Sequence, residues 1–229
     1  MQKQIIISGA TGNLGGEVVK KLIRLGYGLH INLRDRGIAK DFEQESISTY
    51  PADLSDADQA AKFVEDAIRK ADRIDAGIFL AGGFAPGKLD QTKPEDIEKM
   101  IMMNFFTAFN LVKPLKEHFQ ANGGGQFLFI GARPALVASQ GAASFAYTLS
   151  KSLLFQMADM INAEGKSSNI TASVVVPSII DTPTNREAMP DADFSKWIST
   201  GDMAEGISFV LSETGSKLKD TVLKLYNKA

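Results

Sequence analysis

Seven short apolar runs, separated by longer segments of helical periodicity, restrict the folds open to this chain more than any other feature. The runs lie at residues 4–8, 29–33, 47–50, 77–81, 126–130, 171–176 and 221–226. Most are near-continuous Ile, Val, Leu and Phe with no polar alternation. Strands covered on both faces read this way, as in a parallel sheet between helices. Between the runs, Ala60, Phe63, Val64, Ala67, Ile68 and Ala71 form one apolar stripe at helical spacing. Thr92-Lys93-Pro94-Glu95 predicts a capping box with Pro in the first turn. The helix it opens carries Ile97, Ile101, Asn104, Phe105 and Ala108, and Pro114 is expected to kink or end it. Further helices are expected over about 144–164 and 202–212. Strand–helix alternation from end to end predicts an α/β, Rossmann-type doubly wound parallel sheet with right-handed crossovers. With no repeat, linker or charge block, one domain is expected over residues 1–229.

Composition narrows the function classes. A net charge of −2 argues against a dedicated nucleic-acid binder. No apolar stretch reaches the roughly 18 residues of a membrane span, and the run at residues 5–7 is too short for a signal segment. A cytoplasmic protein is therefore expected. The sequence has no cysteine, so disulfide, thiolate and cysteine–metal chemistry are absent. His30 and His118 are far apart and read as structural, and no metal site is expected.

The first run leads into Ser8-Gly9-Ala10-Thr11-Gly12-Asn13-Leu14-Gly15-Gly16. A strand-to-helix turn poor in Cβ atoms lets the backbone approach a pyrophosphate, and the helix start supplies free N–H groups. Dinucleotide binding follows from that placement, since the spacing of glycines alone is a weak signal. The second run ends Leu33-Arg34-Asp35-Arg36. Arg34 there would pair with a 2′-phosphate and favour NADP, whereas a carboxylate such as Asp35 would favour NAD. NADP is the favoured cofactor and NAD the alternative. Asp53, before Leu54, either accepts from an adenine amino group or helps cap the next helix. Tyr147 and Lys151 stand four apart on an expected helix and share a face. A neighbouring ammonium favours the ionised phenol, suiting Tyr147 to proton transfer. Two stretches, 131–144 and 181–200, are long for connections and therefore candidate functional loops.

Taken together, the turn Ser8–Gly15, Asp53, Leu80-Ala81-Gly82-Gly83, Asn104, Tyr147-xxx-Lys151 and Pro177-Ser178-Ile179-Ile180-Asp181-Thr182 resemble the short-chain dehydrogenase/reductase family. They span nearly the whole chain in that family's order. The segments 81–85, 131–136 and 181–197 are similar to the dihydropteridine reductase branch. The resemblance implies a seven-stranded sheet in the order 3-2-1-4-5-6-7. It implies Tyr147 as proton donor, with Lys151 holding the nicotinamide ribose and lowering the tyrosine pKa. Asn104 would kink its helix and support a proton-relay water. Gly9, Thr11, Gly12, Asn13, Leu14 and Gly15 would take the pyrophosphate. Arg34, Asp53, Leu54, Ala81, Gly82, Gly83 and Pro177 would also contact the cofactor, while Thr182 and the backbone near Ile180 would hold the carboxamide. A small-molecule substrate and a homodimer or homotetramer are also implied.

Three departures shape the expected chemistry. Asn13 stands where the family has Gly, Ser178 replaces the Gly after Pro177, and Ala132 occupies the place of the catalytic serine. Ser139 or Ser144 would have to swing in to replace that hydroxyl. Losing an oxyanion donor typically costs 10²–10³ in rate in comparable sites. A quinonoid dihydropterin, already polarised, needs less help than a ketone. The expected activity is hydride transfer to such a planar acceptor. The alternatives are a carbonyl or quinone reductase, or a catalytically weak nucleotide-binding sensor. Substrate contacts are expected from Ala132, Arg133, Ser139, Met189 and Trp197. With Phe194, Trp197 either stacks on a planar substrate ring or packs its loop onto the sheet edge.

Overall fold

The structure, a computed structural model, describes residues 2–34, 42, 44–218 and 222–228. Asp35, weighed above as a cofactor contact, Arg36 beside it, and Thr221, placed in the last strand, lie outside the described residues.

The chain runs β1 (Gln4–Ser8), α1 (Asn13–Arg24), β2 (Gly28–Leu33), β3 (Ile47–Pro51), α2 (Ala57–Ala71) and β4 (Ala76–Phe79). It continues through α3 (Pro94–Ile101), α4 (Thr107–Ala121), β5 (Gly125–Ile130), α5 (Arg133–Leu136), α6 (Ala138–Gly141), α7 (Phe145–Gly165) and β6 (Ile170–Pro177). It closes with β7 (Ile180–Asp181), α8 (Pro183–Ala188), β8 (Ile198–Ser199), α9 (Thr200–Leu211) and β9 (Val222–Leu225). Seven parallel strands form one sheet in the order β3-β2-β1-β4-β5-β6-β9. This is the expected doubly wound order, with β9 as the seventh strand. The two-residue strands β7 and β8 pair with each other, outside the main sheet.

Both faces of the sheet are covered, which is why its strands read as continuous apolar runs. Ile5 and Ile7 pack with Val18, Leu22, Met203 and Ile207 of α1 and α9. Ile6, pointing the other way, joins Phe63, Leu111, Phe119, Phe127 and Ala158 from the α2, α4 and α7 side. The period-2 alternation of a strand thus feeds two cores.

Several local expectations are corrected. The capping box is shifted by one residue: Asp96 accepts from Lys93 N at 2.9 Å, while Thr92 Oγ1 donates back to Lys88 O at 2.8 Å. Pro114 does not end its helix, because α4 runs on to Ala121 with Leu111, Leu115 and Phe119 buried around it. The helical interruption lies earlier, in a π turn over Met102–Phe106 that contains Asn104. The fourth strand stops at Phe79, so Ala81 lies in the loop that leaves the sheet. The two long connections hold the short helices α5 and α6, and α8, rather than bare loop. Around the π turn Met100 is buried, whereas Met102, Phe106 and Phe109 are exposed.

Candidate active site

The strand order reverses between β1 and β4, and such a switch point opens a crevice at the carboxyl ends of the strands. The Gly-rich turn lies there. Gly9 adopts φ +71°, and a Cβ on it would meet Ala81 N at 2.5 Å. A Cβ on Gly15 would meet Gly9 O at 2.2 Å. The turn is therefore pressed against both its own backbone and the exit of β4, where Leu80 N donates to Ser8 O and Ala81 N to Ser8 Oγ. Gly12 is the N-cap of α1 and provides no capping side chain, and the first turn has no acidic residue. A cradle without Cβ atoms over an uncapped, positively polarised helix end fits a pyrophosphate. Thr11 and Asn13 are exposed on this turn and Leu14 is half-buried. Asn13 Nδ2 also donates to Thr184 Oγ1 of α8 at 3.3 Å, linking the turn to the substrate-loop helix.

Just past β2, Arg34 is exposed and its guanidinium lies 3.4 Å from Asp53. Asp53 Oδ1 accepts from Ser55 N at 3.0 Å and Ser55 Oγ at 2.7 Å. Those bonds, with Arg34 beside it, hold its carboxyl below the usual carboxylate range. Asp53 does not cap α2, since Asp56 accepts from Asp58 N and Gln59 N. Leu54 turns its side chain into the core, and its carbonyl accepts from Asn110 Nδ2 at 2.9 Å.

Tyr147 and Lys151 lie on the first two turns of α7, and Asn104 reaches that helix through Ser150. Lys151 is 8% exposed and its ammonium donates to Ile130 O at 2.9 Å. Burial lowers its pKa from 10.5 to about 8. Burial also raises the Tyr147 phenol to about 12. The expected lowering of the phenol by Lys151 is therefore absent from this arrangement. The ammonium is turned to the end of β5, and desolvation decides the tyrosine. Asn104 is fully committed: its Oδ1 accepts from Gly83 N at 2.9 Å, and its Nδ2 donates to Gly83 O at 3.1 Å and Ser150 Oγ at 3.0 Å. It ties the loop after β4 to α7. A Cβ on Gly82 would sit 2.5 Å from Asn104 Oδ1 and 3.4 Å from Lys151 Nζ, so this loop presses on the same group.

The remaining candidates fall into place differently. Ala132 is buried before α5 with no hydroxyl to offer. Ser139 is exposed on α6, and Ser144 is buried with its Oγ 3.3 Å from Thr148 Oγ1, so neither takes up the vacant serine role. Arg133 stacks its guanidinium over Tyr226, 4.9 Å from the ring centroid. Trp197 is 5% exposed and packs on Phe194 at 4.7 Å, so of its two readings the loop-packing one holds. Met189 is half-buried beyond α8. Pro177 ends β6 in the core region. Thr182 Oγ1 caps α8 by accepting from Asn185 N at 3.2 Å, and Asn185 Nδ2 donates to Ile180 O at 2.8 Å. Asn185 was not singled out from the sequence, yet it engages two residues reserved for the nicotinamide carboxamide, Thr182 through its backbone N–H and Ile180 through its side-chain amide. Ser150 and Phe84 were also missed. Phe84 lies edge-on to Tyr147, with ring centroids 5.0 Å apart and an angle of 71°. Sequence spacing carries no signal for either contact.

His30 and His118 are structural. His30 bridges Tyr50 Oη at 2.9 Å and Gln4 Oε1 at 3.1 Å, and burial lowers its pKa to about 4. His118 Nε2 accepts from Ile74 N at 3.0 Å. Among the described residues no group of acidic and histidine side chains could hold a metal ion, and no helix is long and apolar enough to cross a membrane.

Comparison with known proteins agrees with this geometry. The family model for short chain dehydrogenase matches residues 3–193. A dihydropteridine reductase of Dictyostelium discoideum is 28% identical over 213 residues, covering 90% of this chain and 86% of that protein. An acetoacetyl-CoA reductase of an Acinetobacter species is 21% identical, over 98% of this chain and 96% of its own. Among solved structures, ElxO with NADP bound superposes with a TM-score of 0.90 at 24% identity, over 98% of this chain and 97% of that one.

Proposed function

The chain belongs to the short-chain dehydrogenase family of NAD(P)-dependent oxidoreductases, and from that membership we propose that it is a reductase of a planar, quinonoid dihydropterin-like acceptor. The observation that carries this reading is Ala132, buried without a hydroxyl, in a chain that keeps Tyr147 and Lys151 one turn apart on α7. A carbonyl developing negative charge needs an oxyanion donor. A quinonoid ring spreads that charge over its own nitrogens and does without one. The 28% identity to a dihydropteridine reductase supports the same substrate class.

Tyr147, with its phenol at about 12, stays protonated at neutral pH and is a proton donor rather than a base. Lys151 keeps a positive charge in a buried position against Ile130 O, and a turn of its ammonium from that carbonyl toward Tyr147 Oη would let it stabilise the phenolate left after donation. Asn104 fixes the loop after β4 against α7. A reduced nicotinamide bound at the switch point supplies the hydride. The acceptor thus gains a hydride and one proton from Tyr147 Oη. The Gly9–Gly15 cradle holds the pyrophosphate, and exposed Arg34 meets a 2′-phosphate, favouring NADPH over NADH. Ile180, Thr182 and Asn185 hold the carboxamide end. One domain carries all of these. The exposed Phe106, Phe109, Leu149 and Met160 on the α4 and α7 surface support a homodimer or homotetramer.

The test is oxidation of NADPH and NADH, in parallel, with quinonoid dihydropterin as acceptor. Turnover that is lost in Tyr147→Phe while NADP⁺ still binds is the expected result. A second reading, reduction of a 3-oxoacyl carbonyl, is favoured by the similarity to an acetoacetyl-CoA reductase. Turnover of acetoacetyl-CoA with none of the dihydropterin would replace the first reading by the second.

A further inference from the structure

Phe84 is 65% exposed, whereas the next most exposed of the large phenylalanines, Phe209, is 47% exposed. A bare aromatic ring on a mobile loop would carry no argument, but this one is held at both sides. Immediately before it, Gly83 is clamped through both its N–H and its C=O by Asn104. Just after it, Gly87 N donates to Ala143 O at 2.8 Å and Gly87 O accepts from Phe145 N at 2.8 Å. The same helix that carries Tyr147 and Lys151 therefore fixes where the ring stands. Phe84 meets the Tyr147 ring edge-on at 5.0 Å, and the rest of its surface is open. Aromatic residues of the substrate loop are already in use: Phe194 lies between the Arg186 guanidinium at 4.7 Å and Trp197 at 4.7 Å, and Trp197 is buried.

We infer that Phe84 is a specificity-determining residue: its open ring is the stacking wall against which a planar aromatic or quinonoid substrate lies, beside the Tyr147 hydroxyl. This rests on Tyr147 being the proton donor. A rigid ring that is ordered before binding loses little entropy when a flat ligand covers it, and its π face favours heteroaromatic rings over aliphatic chains. An aliphatic substrate gains only contact area from the same wall.

The discriminating variants are Phe84→Leu, which keeps an apolar side chain against Tyr147 but removes the π face, and Phe84→Trp, which enlarges it. The probe is oxidised biopterin, titrated by its own fluorescence into the protein saturated with NADP⁺. Phe84→Leu should weaken biopterin binding by about 5- to 150-fold, the range that single aromatic stacking contacts give. Phe84→Trp should retain or tighten it, and NADP⁺ affinity should be unchanged in both. Equal biopterin affinity in the wild type and Phe84→Leu overturns the inference, as does a parallel loss of NADP⁺ binding or a wild type that ignores biopterin. Failure of the pterin-reductase reading looks different. There, biopterin binds in a Phe84-dependent way while quinonoid dihydropterin is not turned over, and the wall stands without that reaction. Turnover with an unchanged KM in Phe84→Leu keeps the reaction and sinks the wall.

Discussion

Lys151 is expected to destabilise the fold that it serves, and Lys151→Met should show by how much. The side chain is 8% exposed, and burial takes its pKa from 10.5 to about 8. A gap of about 2.5 pH units, at about 1.4 kcal/mol per unit, makes the buried ammonium about 3 kcal/mol less favourable than a neutral side chain of the same shape. Methionine removes that penalty. It also leaves Ile130 O without its 2.9 Å donor, which costs about 1–3 kcal/mol for a buried acceptor. The net expectation at pH 7 is a gain of about 0–2 kcal/mol, or a rise in Tm of up to about 8 °C for a domain of this size. The pH dependence follows from the depressed value. Below about pH 8 the lysine is charged in both folded and unfolded chains and the full penalty is present. Between about 8 and 10.5 the folded protein loses the proton first, so the advantage of methionine fades there. Urea unfolding of the two proteins without cofactor, at pH 7 and at pH 10, measures both the size and the fading. Turnover should be lost in the variant at every pH. A variant less stable than the wild type at pH 7, or a difference that stays constant from pH 7 to 10.5, would refute the reasoning.

Two further outcomes come from the same kind of linkage. Since Lys151 must be charged to stabilise the phenolate, kcat/KM for reduction should fall above about pH 8, well below the Tyr147 value of about 12; a flat profile through pH 10 would remove Lys151 from the reaction. His30, 3% exposed and with its pKa lowered from 6.5 to about 4, resists protonation in the fold. Stability should therefore be intact above pH 6.5 and fall by about 3 kcal/mol as pH drops to about 4. In His30→Gln that particular loss should be missing from the pH dependence of urea unfolding.

Much of the site was legible because family-like positions sit at fixed places along a regular frame. Tyr147 and Lys151 share a face wherever α7 forms, and Gly9 and Gly15 mark a turn that only a close backbone approach requires. The contacts made between distant segments were not legible. Phe84 reaches Tyr147 across 63 positions because Asn104 and the Gly87 backbone pin its loop to α7. Asn185 engages Ile180 because α8 folds back on β7. Arg133 turned to Tyr226, and Trp197 turned inward under Phe194, for reasons that no local pattern contains. Of the two outcomes expected at Pro114, an end to the helix does not occur, because a helix-breaking preference of about 3 kcal/mol is outweighed by the burial of Leu111, Leu115 and Phe119 around it.

By itself, then, the sequence determined what repeats: the alternation of buried strands and one-faced helices, the glycines of the first turn, and the tyrosine and lysine one helical turn apart. Periodicity is a local property, and the backbone imposes it wherever the element forms. Tertiary structure decided the rest. The seven-stranded parallel sheet brings the ends of β1, β4, β5 and β6 to one edge. At that edge the burial of Lys151, the raised phenol of Tyr147 and the open ring of Phe84 are set by which segments exclude water from which others. Desolvation depends on neighbours in space, and those neighbours are spread over most of the chain.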